Sequence, residues 1–560
     1  MKSLDDVRAQ LTAPGQLFEM DEVEIRGART RVWKHAPPSL RSVLEISRFH
    51  GETPFIVYED ERLTFEEHFR HAATFAHRLI ERYGVRKGDR VAIAMRNFPE
   101  WSVAFFAAAA AGAVVVPLNA WWTGPELEYG LRDSGATVLV ADEERARRLG
   151  DALPGLGIPT IVVRAEGAPP PGTDAYASVL GDVTADVTLP EAEIGPEDDA
   201  TIFYTSGTTG RPKGALGTQR NITGNTFCLG YAMLAAAVRG GRSIEEAAAP
   251  QPRVALLNVP LFHATGCHAM LVASAVLGGT VVLMYKWDAE RALQLIERER
   301  VTAFGGVPTM AWQVLTSPEF HKYDTSSLVN VSYGGAPAPP ALVEKIKELL
   351  PERVPNNGYG LTETSAVTAY NSGINYLTHP DSVGPPVPVC DIKVVDPVGE
   401  ELPTGEVGEL LIKGPNVIKG YWNRPEDTAQ AFRDGWFHTG DLARVDADGF
   451  IYIVDRAKDM LIRGGENVYC AEVEAAIYEH PAVADTAVIG VPHEVLGEEV
   501  GAVVRLHPGT TVTPEELQAF LGERIAAFKV PAHIWFRDDE LPRNPAGKIL
   551  KTRLRSELIG

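Results

Sequence analysis

Ile202-Phe203-Tyr204-Thr205-Ser206-Gly207-Thr208-Thr209-Gly210-Arg211-Pro212-Lys213-Gly214 passes from an apolar run into a loop of hydroxyls, glycines and cations. Three large apolar residues in a row read as a buried strand, and the loop after them suits a phosphate. Glycines let successive backbone N–H groups turn toward an anion, the hydroxyls of Thr205, Ser206, Thr208 and Thr209 donate hydrogen bonds, and Lys213 adds a charge on a flexible stem. A Walker loop is excluded. That motif needs Gly just before its Lys and Ser or Thr just after it, where this chain has Pro212 and Gly214, which also oppose an immediate helix. Taken alone, the loop also reads as an exposed Gly-Thr turn, so its surroundings decide.

Upstream, residues 40–200 alternate amphipathic stretches such as Phe65 to Tyr83 with short apolar runs such as Arg90 to Ala94 and Thr137 to Val140, the rhythm of α/β layers. Downstream, strand-like runs recur at Val254 to Val259, Val281 to Met284 and Asn330 to Tyr333, then yield to a turn-rich β pattern from Ile392 to Ile453. Past Asp455 the chain restarts with a Gly-bearing charged segment, a helix expected over Ala471 to His480, strands, and a helix over Pro514 to Phe528. The reading is an α/β protein: a large domain over 1–454 with a β subdomain, and a small α/β domain over 455–560. A chain of 560 residues exceeds one compact core in any case. Gly167 to Gly172 and Ala235 to Pro250 read as surface excursions.

Composition removes several function classes. A formal charge of −21 repels nucleic acid and anionic lipid, so no nucleic-acid partner is expected. Cys228, Cys267, Cys390 and Cys470 have no C-x-x-C spacing, which argues against a disulfide framework or a thiolate zinc site and fits a reducing cytoplasm. The apolar run Val103 to Val116 is shorter than the roughly 18 residues a bilayer demands and is Ala-rich, as a buried helix entering a strand would be. No transmembrane segment is expected, and the acidic N-terminus lacks the apolar centre of a secretory signal.

Further motifs follow in order: Gly334-Gly335-Ala336-Pro337, Asn356-Asn357-Gly358-Tyr359-Gly360-Leu361-Thr362-Glu363-Thr364, Phe437-His438-Thr439-Gly440-Asp441, Asp455-Arg456, Arg463-Gly464-Gly465-Glu466-Asn467, and Pro542-Arg543-Asn544-Pro545-Ala546-Gly547-Lys548. With the loop at 205–214, this series resembles the adenylate-forming superfamily of acyl-CoA synthetases, adenylation domains and luciferases, along nearly the whole chain and within its acyl-CoA synthetase branch.

The resemblance implies roles. Thr205 to Gly210 and Lys213 would hold the phosphates of ATP. Gly334 to Pro337 and Asn357 to Gly360 would wall an adenine slot, Tyr359 lending a flat face and the glycines close backbone approach. Thr362 would bond the α-phosphate and Glu363 would hold magnesium, a hard cation that wants oxygen ligands. Asp441 suits a ribose diol, and Arg456 offers a fork to ribose or phosphate oxygens. Lys548 would neutralise charge as carboxylate and ATP, two anions, are joined. The family swings its small domain about a hinge, here Lys458, so that coenzyme A can reach the acyl-adenylate; Gly464 and Gly465 would then flank the pantetheine. Cys470 stands where the family often has Pro.

Leu261-Phe262-His263-Ala264-Thr265-Gly266 resembles the segment bordering the acyl pocket. Amino-acid-activating relatives usually place Asp at His263, so a non-amino carboxylic acid is implied. His263, Cys267 and His268 lack a fourth ligand and read as packing and gating residues, with no zinc expected. Small residues at Gly305 and Gly306 would leave volume for a medium- or long-chain, bulky or aromatic acyl group. The function implied is an AMP-forming acyl-CoA synthetase using ATP, magnesium and coenzyme A. Two alternatives stay open: an adenylating enzyme serving an amine, a carrier protein or oxygen, and a silent nucleotide-binding protein. The chain ends twelve residues after Lys548, so no carrier domain in cis is expected. A homodimer is left open.

Overall fold

The computed structural model describes residues 2–205, 211–249, 251–334, 340–351, 353, 355–457, 459–464, 466–544 and 547–559. Among them two eight-stranded sheets build the large domain. The first runs Gly420–Tyr421, Lys213–Thr218, Asp199–Thr205, Val114–Pro117, Arg90–Ala94, Val138–Asp142, Thr160–Val163, Asp174–Ala175. Its centre is parallel, and its strands are apolar on both faces because helices cover both. Alternate residues of Arg90–Ala94 accordingly enter different cores: Val91 and Ile93 join the Ala-rich helix Pro99–Ala110, while Ala92 and Ala94 join Leu127 and Leu131. The stretch expected to be a buried helix entering a strand is that helix running into Val114–Pro117.

The second sheet runs Ala369–Asn371, Pro355–Tyr359, Asn330–Gly334, Ala303–Gly306, Val254–Leu257, Thr280–Leu283, Pro54–Tyr58, Glu61–Thr64. Phe55, Leu257 and Leu283 from this sheet share one core with Val91, Val115 and Phe203 from the first. The helix Phe65–Tyr83 fills that core; it starts at a Thr64–Glu67 capping box and stops at Gly84, left-handed at φ +69°. In both sheets the strands deliver Thr205, Gly306, Gly334 and Tyr359 at their C-terminal ends, where open α/β sheets form their crevices.

An antiparallel sheet of Asp391–Val395, Gly408–Lys413, Trp436–Val445, Phe432–Arg433 and Ile451–Arg456 is the expected β subdomain. The small domain has its own sheet, Glu466–Val468, Leu461–Arg463, Gly497–Leu506, Val483–His493 and His533–Arg537, over a separate core. The expected boundary after residue 454 falls inside the strand Ile451–Arg456.

Two expectations are corrected. Ala235 to Pro250 is not all excursion: the helix Gln219–Arg239 runs through Ala235, and Cys228, Tyr231, Ala235 and Val238 make a buried stripe against Val7 and Leu11. Small side chains there masked the helical period. The helix from Pro514 stops at Gly522, where the Arg524 N–H reaches back only three residues to the Leu521 carbonyl and tightens the last turn; a single turn, Ala527–Lys529, follows. All four cysteines are buried free thiols. Among the described residues no helix is long and apolar enough to cross a membrane.

Candidate active site

The loop after Thr205 is anchored at both ends, since Thr205 pairs with Lys213 across an antiparallel ladder. The loop thus leads into a strand, Lys213–Thr218, and not into a helix, in keeping with Pro212 and Gly214. Tyr204 donates to Asp133 Oδ2 at 2.8 Å, Tyr129 donates to the Pro212 carbonyl at 3.0 Å, and Arg424 pairs with Asp133 at 3.0 Å. Ser206 to Gly210 lie outside the described residues, as do Gly335 to Pro337, Lys458 and Gly465.

The glycines of the next motifs let backbones touch. Gly334 pairs with Gly358 in register, and a Cβ on Gly334 would sit 2.7 Å from the Gly358 carbonyl oxygen. A Cβ on Gly360 would lie 1.9 Å from the Ala366 carbonyl, a contact no side chain tolerates. Tyr359, at the end of its strand, donates to Asp441 Oδ2 at 2.7 Å, and Arg456 Nε meets Asp441 Oδ1 at 2.7 Å. Three residues from distant motifs therefore form one unit. Burial and then the Asp441 charge push the Tyr359 phenol far above its ordinary range, so it remains a donor. Asn357 lies beside them, paired with Tyr333 and Asn371 across the ladder.

Thr362-Glu363-Thr364 is a single tight turn closed by Thr364 Oγ1, which accepts from the Leu361 N–H at 2.9 Å. Ser365 and Ala366 continue it at φ +53° and +98°, a costly pair for non-glycine residues at a binding turn. Glu363 Oε1 accepts from the Tyr421 hydroxyl at 2.8 Å, and its carbonyl accepts from Ile418 N–H at 2.9 Å. Burial raises the Glu363 pKa, the mark of a carboxylate short of positive charge. Lys213 pairs with Asp427 and lies 5.6 Å from the Tyr421 ring centre. Tyr421 and Asp427 went unnoticed in the sequence; the only signal was an aromatic pair after Gly420 and before a Pro-initiated helix.

Lys548 ends a built turn. Its N–H donates to Asn544 Oδ1 at 2.9 Å, Arg543 donates to the Gly547 carbonyl at 2.7 Å, and Arg543 is itself held by Asp485 at 2.6 Å. Gly547 is left-handed at φ +84°, and a Cβ there would lie 2.7 Å from Val307 Cγ2 of the large domain. The Lys548 turn therefore abuts the residue following Gly306. Gly464, in contrast, lies in the small domain, in the turn after the strand Leu461–Arg463, its N–H donating to the Leu496 carbonyl at 2.8 Å. Beyond Lys548 the chain forms a helix, Lys551–Ile559, and the half-buried Lys551 pairs with Glu474 at 2.7 Å. Burial works against that lysine's charge, but Glu474 outweighs it and holds its pKa above the ordinary value.

His263 sits before a π-helix, Thr265–Val272, with its Nε2 buried and unpartnered; burial lowers its pKa to about 4, so the ring is neutral. Asn97 fixes this segment, donating to the Val259 carbonyl at 3.2 Å and accepting from the Leu261 N–H at 2.9 Å. A Cβ on Gly305 would lie 3.1 Å from Ser332, and one on Gly306 would lie 2.8 and 2.9 Å from Asn258 and Met310, so a larger residue at either place would crowd these neighbours.

Residues 45–422 match the family model of the AMP-binding enzymes, and residues 472–548 that of the AMP-binding enzyme C-terminal domain. The chain is 40% identical to a feruloyl-CoA synthase of an Amycolatopsis species, over 88% of this chain and 93% of that one. It is 36% identical to a long-chain-fatty-acid–CoA ligase of Bacillus subtilis (strain 168), over 93% and 94%. Its fold is similar to the crystal structure of an anthranilate CoA ligase in complex with anthranoyl-AMP, with a TM-score of 0.84 at 28% identity, covering 93% of this chain and 97% of that one.

Proposed function

The chain belongs to the AMP-binding enzyme family and is an AMP-forming acid–CoA ligase, and from that premise we propose which residues carry its two half-reactions. A carboxylate attacks the α-phosphate of ATP and expels pyrophosphate; the thiol of coenzyme A then attacks the acyl carbonyl and expels AMP. The contact of Gly547 with Val307 carries the assignment, because it sets the Lys548 turn against the wall that continues from Gly306. An ammonium there offsets the charge that develops as two anions join.

The remaining roles rest on the geometry around that contact. The loop at 205–210 and Lys213 cradle the triphosphate, Lys213 exchanging Asp427 for phosphate oxygens. Gly334, Gly358 and Gly360, with Gly335 to Pro337, admit adenine beside the Tyr359 ring. Asp441, one oxygen held by Tyr359 and the other by Arg456, keeps lone pairs for the ribose hydroxyls. Thr362 bonds the α-phosphate. Glu363 suits magnesium: one oxygen takes the Tyr421 hydroxyl, the other is left for a cation, and a buried carboxylate gains from the positive charge. When bound, that ion supplies charge to the phosphates. The joint lies at Lys458, between parts 1–454 and 455–560, and rotation there brings Gly464 and Gly465 to the pantetheine. The acid is a sizeable non-amino carboxylate, as the acids named for the relatives support.

The test is pyrophosphate release by the purified chain over fatty, aromatic and polycyclic acids, with and without coenzyme A. Release that depends on the acid, with acyl-CoA formed only when coenzyme A is added, is expected. Release independent of the acid, or full turnover with another nucleophile alone, would overturn the reading.

A further inference from the structure

Three deeply buried polar side chains near the adenylation site are short of partners. Asn225, on the helix Gln219–Arg239, and Ser365 are each 1% exposed, and His268 on the π-helix is 3% exposed. Among the described residues Asn225 Oδ1 and Ser365 Oγ nevertheless have no hydrogen-bond partner, and the ring nitrogens of His268 have none but the Ser365 backbone. An unpaired buried polar atom costs free energy comparable to a lost hydrogen bond, and one such atom can be tolerated. Several orphaned atoms in one region point to an absent partner.

The fold draws them together. The two helices pack on each other, Asn225 donates its amide N–H to the Val367 carbonyl at 3.1 Å, and the Ser365 backbone lies against the His268 ring. The region also adjoins the chemistry. His268 meets Phe203 edge-on at 4.9 Å, two residues before Thr205, and Ser365 is two residues after Glu363. Around it Ala269, Met270, Ala366 and Tyr370 are only half-buried, although burial already raises the Tyr370 phenol. Ala269, Met270 and Ala366, one or two positions from His268 and Ser365, are thus not fully covered by the fold.

The chemistry of the set is specific. The Val367 bond fixes which end of the Asn225 amide is oxygen, so Asn225 presents an acceptor. Burial lowers the His268 pKa to about 4, so the ring is neutral, with one donor and one acceptor nitrogen. Asn225, His268 and Ser365 are thus all uncharged, offering neither a cation to a second carboxylate nor an anion to an amine. Resting on the acid–CoA ligase reading above, we propose that Asn225 and His268 form a polar floor to the acyl pocket that binds an uncharged hydroxyl, carried by the acid away from its carboxylate. The hydroxyl donates to Asn225 Oδ1 and accepts from the imidazole N–H, with Ser365 Oγ at the edge.

The experiment compares kcat/KM for acyl-adenylate formation across shape-matched acids: 4-hydroxycinnamate, cinnamate and 4-methylcinnamate, and 10-hydroxydecanoate against decanoate and undecanoate. In at least one series the hydroxy acid should exceed both partners by about 10-fold or more, because a site built to bond a hydroxyl discriminates against its absence. His268→Leu and Asn225→Leu should bring that ratio toward one, and His268→Gln, which keeps a donor and an acceptor, should retain more of it. A wild-type preference for the plain or methyl acid in both series overturns the proposal even if no variant folds, and so does a ratio that survives His268→Leu. Pyrophosphate release without hydroxyl preference defeats the polar floor alone; no release from any acid defeats the ligase reading and the floor with it.

Discussion

On the proposed mechanism, Lys548 is the residue on which the two half-reactions divide. Its charge serves while the carboxylate attacks ATP and is not needed once acyl-AMP exists, so Lys548→Ala should slow adenylation by at least about 10²-fold, roughly 2.7 kcal/mol of transition-state stabilisation. Thioester formation from synthetic acyl-AMP and coenzyme A should survive. If both reactions fall together, the lysine serves structure or both arrangements. Glu363→Gln changes little volume and keeps a partner for Tyr421, yet removes an anionic ligand. It should raise the magnesium concentration needed for half-maximal adenylation several-fold with an unaltered melting profile; an unchanged magnesium titration removes Glu363 from that role.

At the scale of elements, Gly547 of the small domain and Val307 of the large one lie against each other. Gly547→Ala meets two obstacles, a left-handed φ and a Cβ 2.7 Å from Val307. The first costs about 1–2 kcal/mol wherever the small domain points, whereas the second applies only when the domains meet. Adenylation should therefore suffer more than thioester formation, and Val307→Ala should recover part of the loss; no recovery in the double variant would mean that backbone strain is the whole effect. Elements were also where the sequence was most readable. Phe65 to Tyr83 announced itself by its amphipathic stripe, and Arg90 to Ala94 by a short apolar run. The end of the helix Gln219–Arg239 was hidden because alanines carry little periodic contrast. The candidate site divided the same way. Local motifs such as the Lys548 turn were visible, but Tyr421 reaching Glu363 and Asn97 holding the His263 segment span 58 and 164 residues, and nothing local marks such partners.

Across the whole molecule, three buried histidines stay neutral in the fold, and they couple its stability to acidity. Burial lowers His68 to about 3 and His263 and His268 to about 4, against about 6.5 in an unfolded chain. Each is unprotonated in both states above pH 6.5. As pH falls below that value the unfolded chain takes up protons that the fold refuses, so stability is lost down to the folded pKa, by up to about 1.4 kcal/mol per pH unit for each ring. The buried carboxylates Glu363, Asp455 and Glu474 have raised values and act in the opposite sense, so the comparison must be a difference. His68→Gln, whose amide can still meet the Ser102 hydroxyl, should melt with a shallower dependence on pH than wild type between pH 6.5 and 4. Parallel curves would mean that His68 titrates alike in both states.

The meeting of Gly547 and Val307 also makes the molecule lockable. A Cβ built on Gly547 lies 3.8 Å from Val307 Cβ, the usual spacing across a disulfide, so Gly547→Cys with Val307→Cys should crosslink on mild oxidation. The native thiols will compete little: burial raises Cys228 to about 12 and also raises Cys267, Cys390 and Cys470. Held oxidised, the enzyme should accumulate acyl-AMP and stall, and dithiothreitol should release one equivalent of acyl-CoA in a burst, turning a resting contact into a redox-operated clutch between the two chemistries.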